Sequence, residues 1–431
     1  MIALRGTRPL LTATAGSTAL FGAAVALHYS RLGLTLSHYD ARGRLVVARR
    51  IFDSITPGWQ QIGAVWLPLP HLLNALPMQV DALYRTGASA VALSVLSFAI
   101  ASAGIASLVV SITGSWVAGL AGVLVFALNP NVLYLQATPM SEPLLIALSV
   151  GSLALLLAYC GAVVEGAGEC AARAPSASLV GWGFALACLT RYEAWPVTVS
   201  ALVAAAWVLW RQGIGPAAAV RAVGRVAVYP IAAIVGFTLF SRIVVGAWFA
   251  SGFFVAENTA QGHPYDALKQ IVWGVRELSG PALVGLGAAG LAGLLVSSLG
   301  KTRLAGAVFP LALLGTAAVP WSAFVDGHPY RIRYMVPLLA VQAIGTGCLA
   351  GAWRRGRPLA IVVVVAMAAW ELQPLSPLAP MVIEAQWDRP NAAPRAQVAS
   401  CLAGTYDGDT IMASMGSLGH YMQDLSTAGF S

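Results

Sequence analysis

The sequence predicts an all-α polytopic membrane protein of about eleven transmembrane helices. Three observations predict it. The chain has 431 residues, 58% of them hydrophobic and only 10% charged. A soluble domain carries roughly 25% charged residues, so there is too little polar surface here for a water-facing body of this size. Apolar runs of about 18–22 residues, long enough to cross the hydrocarbon core as helix, recur along the chain. Those runs are rich in Gly and Ala, which let helices approach closely in lipid. The alternating, roughly ten-residue strands of an outer-membrane barrel are missing.

In order, the spans fall at about 10–29, 86–112, 114–129, 143–160, 179–192, 194–210, 226–245, 281–298, 304–320, 334–352 and 359–373. Arg5 and Arg8 precede the first run, as in a cleavable signal, but Leu10 to Tyr29 is long enough to cross and reads as a retained span. Orientation follows from Arg and Lys in short loops. With the N-terminus in the cytoplasm, the inner loops hold Arg173; Arg211, Arg221 and Arg225; Lys301 and Arg303; and Arg354, Arg355 and Arg357. Glu165 and Glu169 are the acids on that side, and nearly all the others fall outside.

Three outer segments are long: a first loop at 30–85, a second at 246–280 and a tail at 374–431. Loops of more than about 15 residues in a compact protein are usually functional or disordered. In the first, Leu45, Ala48 and Phe52 share one helical face while Arg42, Arg49 and Arg50 lie elsewhere, the pattern of a helix in the membrane interface. Trp59, Trp66, Pro68, Pro70 and Pro77 follow as interfacial anchors and turns. In the tail, Thr410–Met415 reads as a strand and Leu418–Leu425 as a helical start. That is the opening of a water-soluble α/β segment, and the expectation is of a soluble domain cut short. The division expected is thus a transmembrane module over 1–373 and an extracytoplasmic tail over 374–431.

The net charge of +8 is divided among loops, mostly as Arg, without the basic stripe that tracks a nucleic-acid strand. No nucleic-acid partner is expected. Cys160, Cys170, Cys188, Cys348 and Cys401 form no CxxC pair and fit no zinc spacing.

Four outer motifs carry chemistry. Asp40 lies in Ser37–Arg44, just after the first span. Two environments are open to it: burial, which raises a carboxylate's pKa and strengthens it as a base, or Arg44 at i+4, which holds it charged. Glu142 stands between Pro139 and Pro143, at a helix start that Ser141 would cap. Asn131, Tyr134 and Gln136 form a polar cluster before it. Arg191 and Glu193 sit between two apolar runs, where neither faces lipid cheaply. They read equally as an internal ion pair and as a substrate contact. Arg331 and Arg333, on alternate positions after Asp326, point the same way if the segment is extended, and would grip a phosphate bidentately. His71, His263 and His328 are also outside, the last two within a repeated His-Pro-Tyr. No HxxxH or DxD-like metal set is present; an ion on Asp40, Glu142 and a His stays open.

These motifs resemble the GT-C glycosyltransferase superfamily: the protein O-mannosyltransferases, the aminoarabinose transferases of lipid A and the oligosaccharyltransferase catalytic subunits. The likeness in layout covers about residues 1–373. Locally it rests on Tyr39-Asp40-Ala41, Trp66 to Pro70, Met140 to Pro143, Arg191-Tyr192-Glu193, and Arg333-Tyr334 with Pro337. It implies a transfer of sugar from a polyprenyl-phosphate donor to a glycan, lipid or protein acceptor outside a bacterial inner membrane. Asp40 is implied as the acid that meets the acceptor, and Glu142 as the second outer acid. Arg191, Arg331, Arg333, Tyr334 and His71 would meet the donor phosphate or substrate. The sequence has Asp40-Ala41 where the O-mannosyltransferase branch has Asp-Glu, and lacks the paired metal-chelating acids of oligosaccharyltransferases. A divalent cofactor, Mg or Mn, is thus an open expectation. The rival reading is a secondary transporter or lipid-linked-sugar flippase, which would place ionisable residues at the bilayer midplane.

Overall fold

A computed structural model describes residues 8–63, 65–166, 174–246, 248, 257–408 and 415–430. Among them the chain is helical and contains no strand. It runs through α1 (Arg8–Arg31), α2 (Tyr39–Arg50), α3 (Leu69–Ala75), α4 (Asp81–Thr86), α5 (Ala88–Thr113), α6 (Trp116–Ala127) and α7 (Pro130–Leu135). There follow α8 (Glu142–Glu165), α9 (Ala177–Cys188), α10 (Ala194–Arg211), α11 (Pro216–Phe240), α12 (Pro264–Ser279) and α13 (Pro281–Gly300). After a 3-10 stretch, Thr302–Ala317, come α14 (Ala318–Val325), α15 (Pro337–Ala352), α16 (Arg357–Glu371), α17 (Pro380–Glu384), α18 (Ala392–Ala403) and α19 (Met415–Thr427).

Among the described residues, 8 helical stretches are long and apolar enough to cross a membrane. The protein is therefore a multi-pass membrane protein. The other three expected spans coincide with α6, α9 and α16, helices of 12, 12 and 15 residues. At about 1.5 Å per residue these reach only about 18–23 Å, so the count of about eleven included three helices shorter than a full crossing. Local chemistry sets their starts. Ser115 and Ser176 cap α6 and α9 by accepting the N–H of Ala118 and Leu179, both at 3.2 Å, and each replaces a lost backbone bond.

The bundle is built around α15. The Ile332–Ala352 span is 89% buried, whereas Pro216–Val245 is 17% buried, as at a lipid-facing rim. α15 packs on α13, α6 and α5, and small residues set the separation. A Cβ on Gly290 would drive into the Gly345 carbonyl, and one on Gly345 into the Gly287 carbonyl. Gly293, on the same helix α13, has nothing within 4 Å of that position. Gly290→Ala should therefore lower stability by about 1–3 kcal/mol, while Gly293→Ala changes it by less than about 0.5 kcal/mol. Thermal unfolding in detergent checks this; equal melting of the two variants would contradict the close approach.

The helix ends sort into two sets. At one end Arg211 donates to Leu299 O and Arg357 to Gly351 O. The long loops and the tail meet at the other end. There Leu69 N donates to Leu189 O, Asn129 and Asn131 both donate to Leu278 O, and Met381 N donates to Asn131 Oδ1. The repeated His-Pro-Tyr loops also lie side by side there: Gly262 N donates to Val325 O and Asn258 Nδ2 to His328 O. The tail folds back over the first loop, where Arg42 of α2 pairs with Asp424 at 2.9 Å and Gln423 Nε2 donates to Tyr84 O at 3.2 Å.

Helix α2, expected to lay one apolar face in the membrane interface, instead packs Leu45 and Ala48 into a core with Met78, Tyr84 and Ala90, and Phe52 falls beyond its end and is exposed. The expected strand at Thr410–Met415 lies, apart from Met415, outside the described residues. Met415 opens helix α19, which covers the expected helical start.

Candidate functional site

Four elements of the loop-rich end converge. The first is the start of α2. His38 is its N-cap, with extended backbone, and Nδ1 accepts the Asp40 N–H at 3.1 Å. This fixes the first turn and aims the Asp40 carboxylate at the Arg333 guanidinium, with which it forms an ion pair. Burial pushes the Asp40 carboxyl up, but the Arg333 guanidinium, with Arg44 beyond it, outweighs burial and holds it well below the usual carboxylate range. Of the two environments the sequence left open, the structure has the charged one, with Arg333 as its main partner.

Arg44, one turn on, points inward and is 5% exposed. Its guanidinium stacks 4.8 Å over the Trp66 ring. Trp66 in turn stacks on His71, with centroids 5.6 Å apart. Gly43 leaves room for this: a Cβ there would meet Trp66 Cη2 at 3.0 Å. Burial, with the charge of Arg44 beside it, pushes His71 down to about 3, so the ring is neutral. His71 Nδ1 lies 3.3 Å from Arg44 O, which can only accept, so Nδ1 carries the proton. His71 thus stands behind Arg44, a layer removed from Asp40, and braces the segment from there.

The second element is the start of α8 and the third is the α9–α10 turn. Arg191 Nη1 donates to Glu142 at 2.8 Å and to Ser141 Oγ at 3.3 Å, and its Nη2 to Glu193 at 2.5 Å. Glu142 is fully buried and Glu193 is 4% exposed. Arg191 is therefore the counter-ion of two acids, the ion-pair reading of that motif. Ser141 makes no side-chain cap of α8 and serves Arg191 instead.

The fourth element is the approach to α15. The sequence reading took Arg331 and Arg333 as an extended pair pointing one way. The segment Ile332–Met335 is a 3-10 helix with Arg331 as its extended N-cap, so the strand-like alternation ends between the two arginines. Arg333 turns inward to Asp40 and lies 5.2 Å over the Tyr334 ring. Arg331 turns outward, 5.6 Å over the Trp387 ring. The structure thus separates Arg331 from the cluster. Arg331→Ala should cost at most about 1 kcal/mol, the value of an exposed cation–π contact, read as a small shift in thermal unfolding; a loss of several-fold that size would put Arg331 back in the core of the site.

Arg44, Arg191 and Arg333 thus face Asp40, Glu142 and Glu193 in one buried cluster. Burial lowers Arg44 to about 10, while Glu142 and Asp40 pull the other way. Several buried polar atoms of this cluster and its surround have no hydrogen-bond partner: Glu142 Oε2, Arg44 Nε, Arg333 Nε, His71 Nε2 and Glu384 Oε2. Such groups are rare in native interiors and mark sites where a ligand or water completes the bonding.

Sequence reading missed Glu384 and gave no role to His38, and it took Trp66 as an interfacial anchor where the structure stacks it between Arg44 and His71. Glu384, 6% exposed on α17, reaches His38 Nε2 at 3.5 Å. Its signal was present: a lone acid inside an apolar turn, Met381 to Ala385. Among the described residues no group of three or more His, Cys, Asp or Glu is disposed to hold a metal ion. Asp40 and Glu142 both face arginine in this structure.

In fold the chain is similar to ArnT from Cupriavidus metallidurans bound to undecaprenyl phosphate, with a TM-score of 0.51, 14% identity, and coverage of 95% of this chain and 75% of that one. It is also similar to the apo oligosaccharyltransferase of Archaeoglobus fulgidus, with a TM-score of 0.50 and 12% identity, covering 97% of this chain and 56% of that one. Both are GT-C superfamily members, and the chain shares their fold. No protein-family model and no curated protein matches the sequence.

Proposed function

We propose that this chain, built on the GT-C fold, is a membrane glycosyltransferase that takes a sugar from a polyprenyl-phosphate donor and passes it to an acceptor hydroxyl. The single observation that carries the reading is the Asp40–Arg333 ion pair beside the Arg191–Glu142 pair, at the end of the bundle where the long loops gather. The basic loops of the opposite end would be cytoplasmic, and the reaction would then take place on the extracytoplasmic face, in this reading that of a bacterial inner membrane. The middles of the eight long spans carry no Asp, Glu, Lys or Arg, which favours chemistry at a surface over passage through the bilayer.

The reaction would be one displacement. The acceptor oxygen attacks the anomeric carbon, its proton moves to Asp40, and the bond from that carbon to the phosphate oxygen breaks. The lipid phosphate leaves with the electron pair, and the anomeric centre inverts. One unit of negative charge builds on the phosphate, and arginines held in a low-dielectric cluster stabilise it. In the resting protein Arg333 lies on Asp40, which makes Asp40 a weak base and a good orienting acceptor. If Arg333 turns to the donor phosphate, Asp40 loses its main counter-ion and becomes a stronger base. Donor binding would then activate the base.

Purified protein in proteoliposomes, offered labelled polyprenyl-phosphate sugars and, separately, nucleotide sugars, tests this. Label should move from lipid donors and not from nucleotide donors. Binding of the lipid donors without turnover, in folded protein, would favour the transporter reading.

A further inference from the structure

A tail residue is wired to the first turn of α2. Glu384 lies on α17, which is anchored where Met381 N donates to Asn131 Oδ1 at 3.0 Å, and Asn131 donates in turn to Leu278 O at 2.8 Å. From this fixed place Glu384 Oε1 meets His38 Nε2 at 3.5 Å, with both side chains under 10% exposed. On the other side of the same ring, His38 Nδ1 accepts the Asp40 N–H. A nitrogen that accepts an N–H carries no proton, so a neutral His38 must hold its proton on Nε2. That proton faces a carboxylate, which accepts it. We propose that Glu384 is a positioning residue for Asp40: it fixes the Nε2–H tautomer of His38, so that Nδ1 caps α2 and holds the Asp40 carboxylate where the reaction needs it. The role assigned to Asp40 rests on the proposed function above; the tautomer of His38 does not.

The alternative tautomer shows why the carboxylate matters. With the proton on Nδ1, two N–H groups would oppose each other across the Asp40 contact and the cap would be lost. A free imidazole samples both forms, and Glu384 removes that choice. Asn at position 38 has no tautomer and caps a helix well through its own carbonyl oxygen. It therefore makes Glu384 dispensable, which a merely structural role for Glu384 would not allow.

The test is a double-mutant cycle of sugar transfer in proteoliposomes, with thermal unfolding of each variant alongside. Glu384→Ala should lower kcat on the order of 10²-fold, as misplacement of a reacting group by about 1 Å does, with little change in KM. Glu384→Gln, whose amide oxygen still accepts from Nε2–H, should recover most of it. In the His38→Asn background, whatever its own rate, adding Glu384→Ala should lower kcat little further. An equal loss from Glu384→Ala in both backgrounds would overturn the proposal, as would no loss in either. A second reading needs no activity: the ¹⁵N spectrum of histidine-labelled protein, with the His38 signals assigned by their absence in His38→Asn. Wild type should show one Nε2–H tautomer, and Glu384→Ala a mixture. A mixed tautomer in wild type overturns the proposal whether or not the protein transfers sugar, whereas a pure tautomer without any transfer upholds the wiring and removes only the proposed function.

Discussion

Arg191→Met is expected to be among the most destabilising single changes in the protein, at about 3–5 kcal/mol. Arg191 is the counter-ion of Glu142, which is fully buried, and of Glu193, which is 4% exposed. Methionine keeps much of the side-chain length and leaves two carboxylates without their main donor. Oε2 of Glu142 already has no partner, and the other arginines that act on Glu142, Arg333 and Arg44, also act on Asp40. The pair need not be strongly stabilising for its rupture to be costly, because the penalty lies in the charge left behind. Thermal or denaturant unfolding in detergent reads it. The triple variant Arg191→Met, Glu142→Met, Glu193→Met should recover part of the loss, since it removes the two stranded carboxylates while leaving Arg44 and Arg333 to share Asp40. A single variant as stable as wild type would show that the cluster is more open to water than its burial indicates.

Arg333→Lys is expected to cut transfer by about 10²–10³-fold, the scale of losing one preorganised charge donor at a reacting centre. The guanidinium offers a planar fork that can leave Asp40 for a phosphate and still present two parallel donors; an ammonium offers a point charge on a freer stem. The variant should also change the response to acid. Asp40 is held below its unfolded value by Arg333. The stability it contributes is therefore present above an unfolded pKa of about 4 and is lost only as the pH falls through the lower folded value. In wild type Asp40 remains charged throughout the mildly acidic range. Arg333→Ala removes the largest opposing charge and leaves burial to act, so the Asp40 pKa should rise and the acid limb of the rate profile should move to higher pH. A profile unmoved by that change would separate Asp40 from the acid limb.

Composition and run length made the membrane class and most of the helices legible, because the bilayer demands long apolar helices whatever else the chain does. They misjudged α6, α9 and α16, whose apolar character continues beyond the residues that are helical. The acids and arginines of the site were legible as out-of-place charges: Asp40, Glu142, Arg191 and Arg333 all stood next to apolar runs. Which charge meets which was not legible, since the contacts span up to roughly three hundred residues of chain and depend on helix packing. The Arg331–Arg333 pairing failed for a local reason, a 3-10 turn where an extended segment was expected. Glu384 was missed because its partner, His38, lies at the opposite end of the chain, and no periodicity links a tail acid to a helix cap.

The most direct test of the central claim is transfer of labelled sugar from a polyprenyl-phosphate donor by wild type and by Asp40→Asn, at equal and verified folding. The account predicts transfer by wild type and a loss of about 10²–10⁴-fold in the variant, the range a positioned acid–base group supplies, with donor binding retained. Full turnover by Asp40→Asn would contradict it.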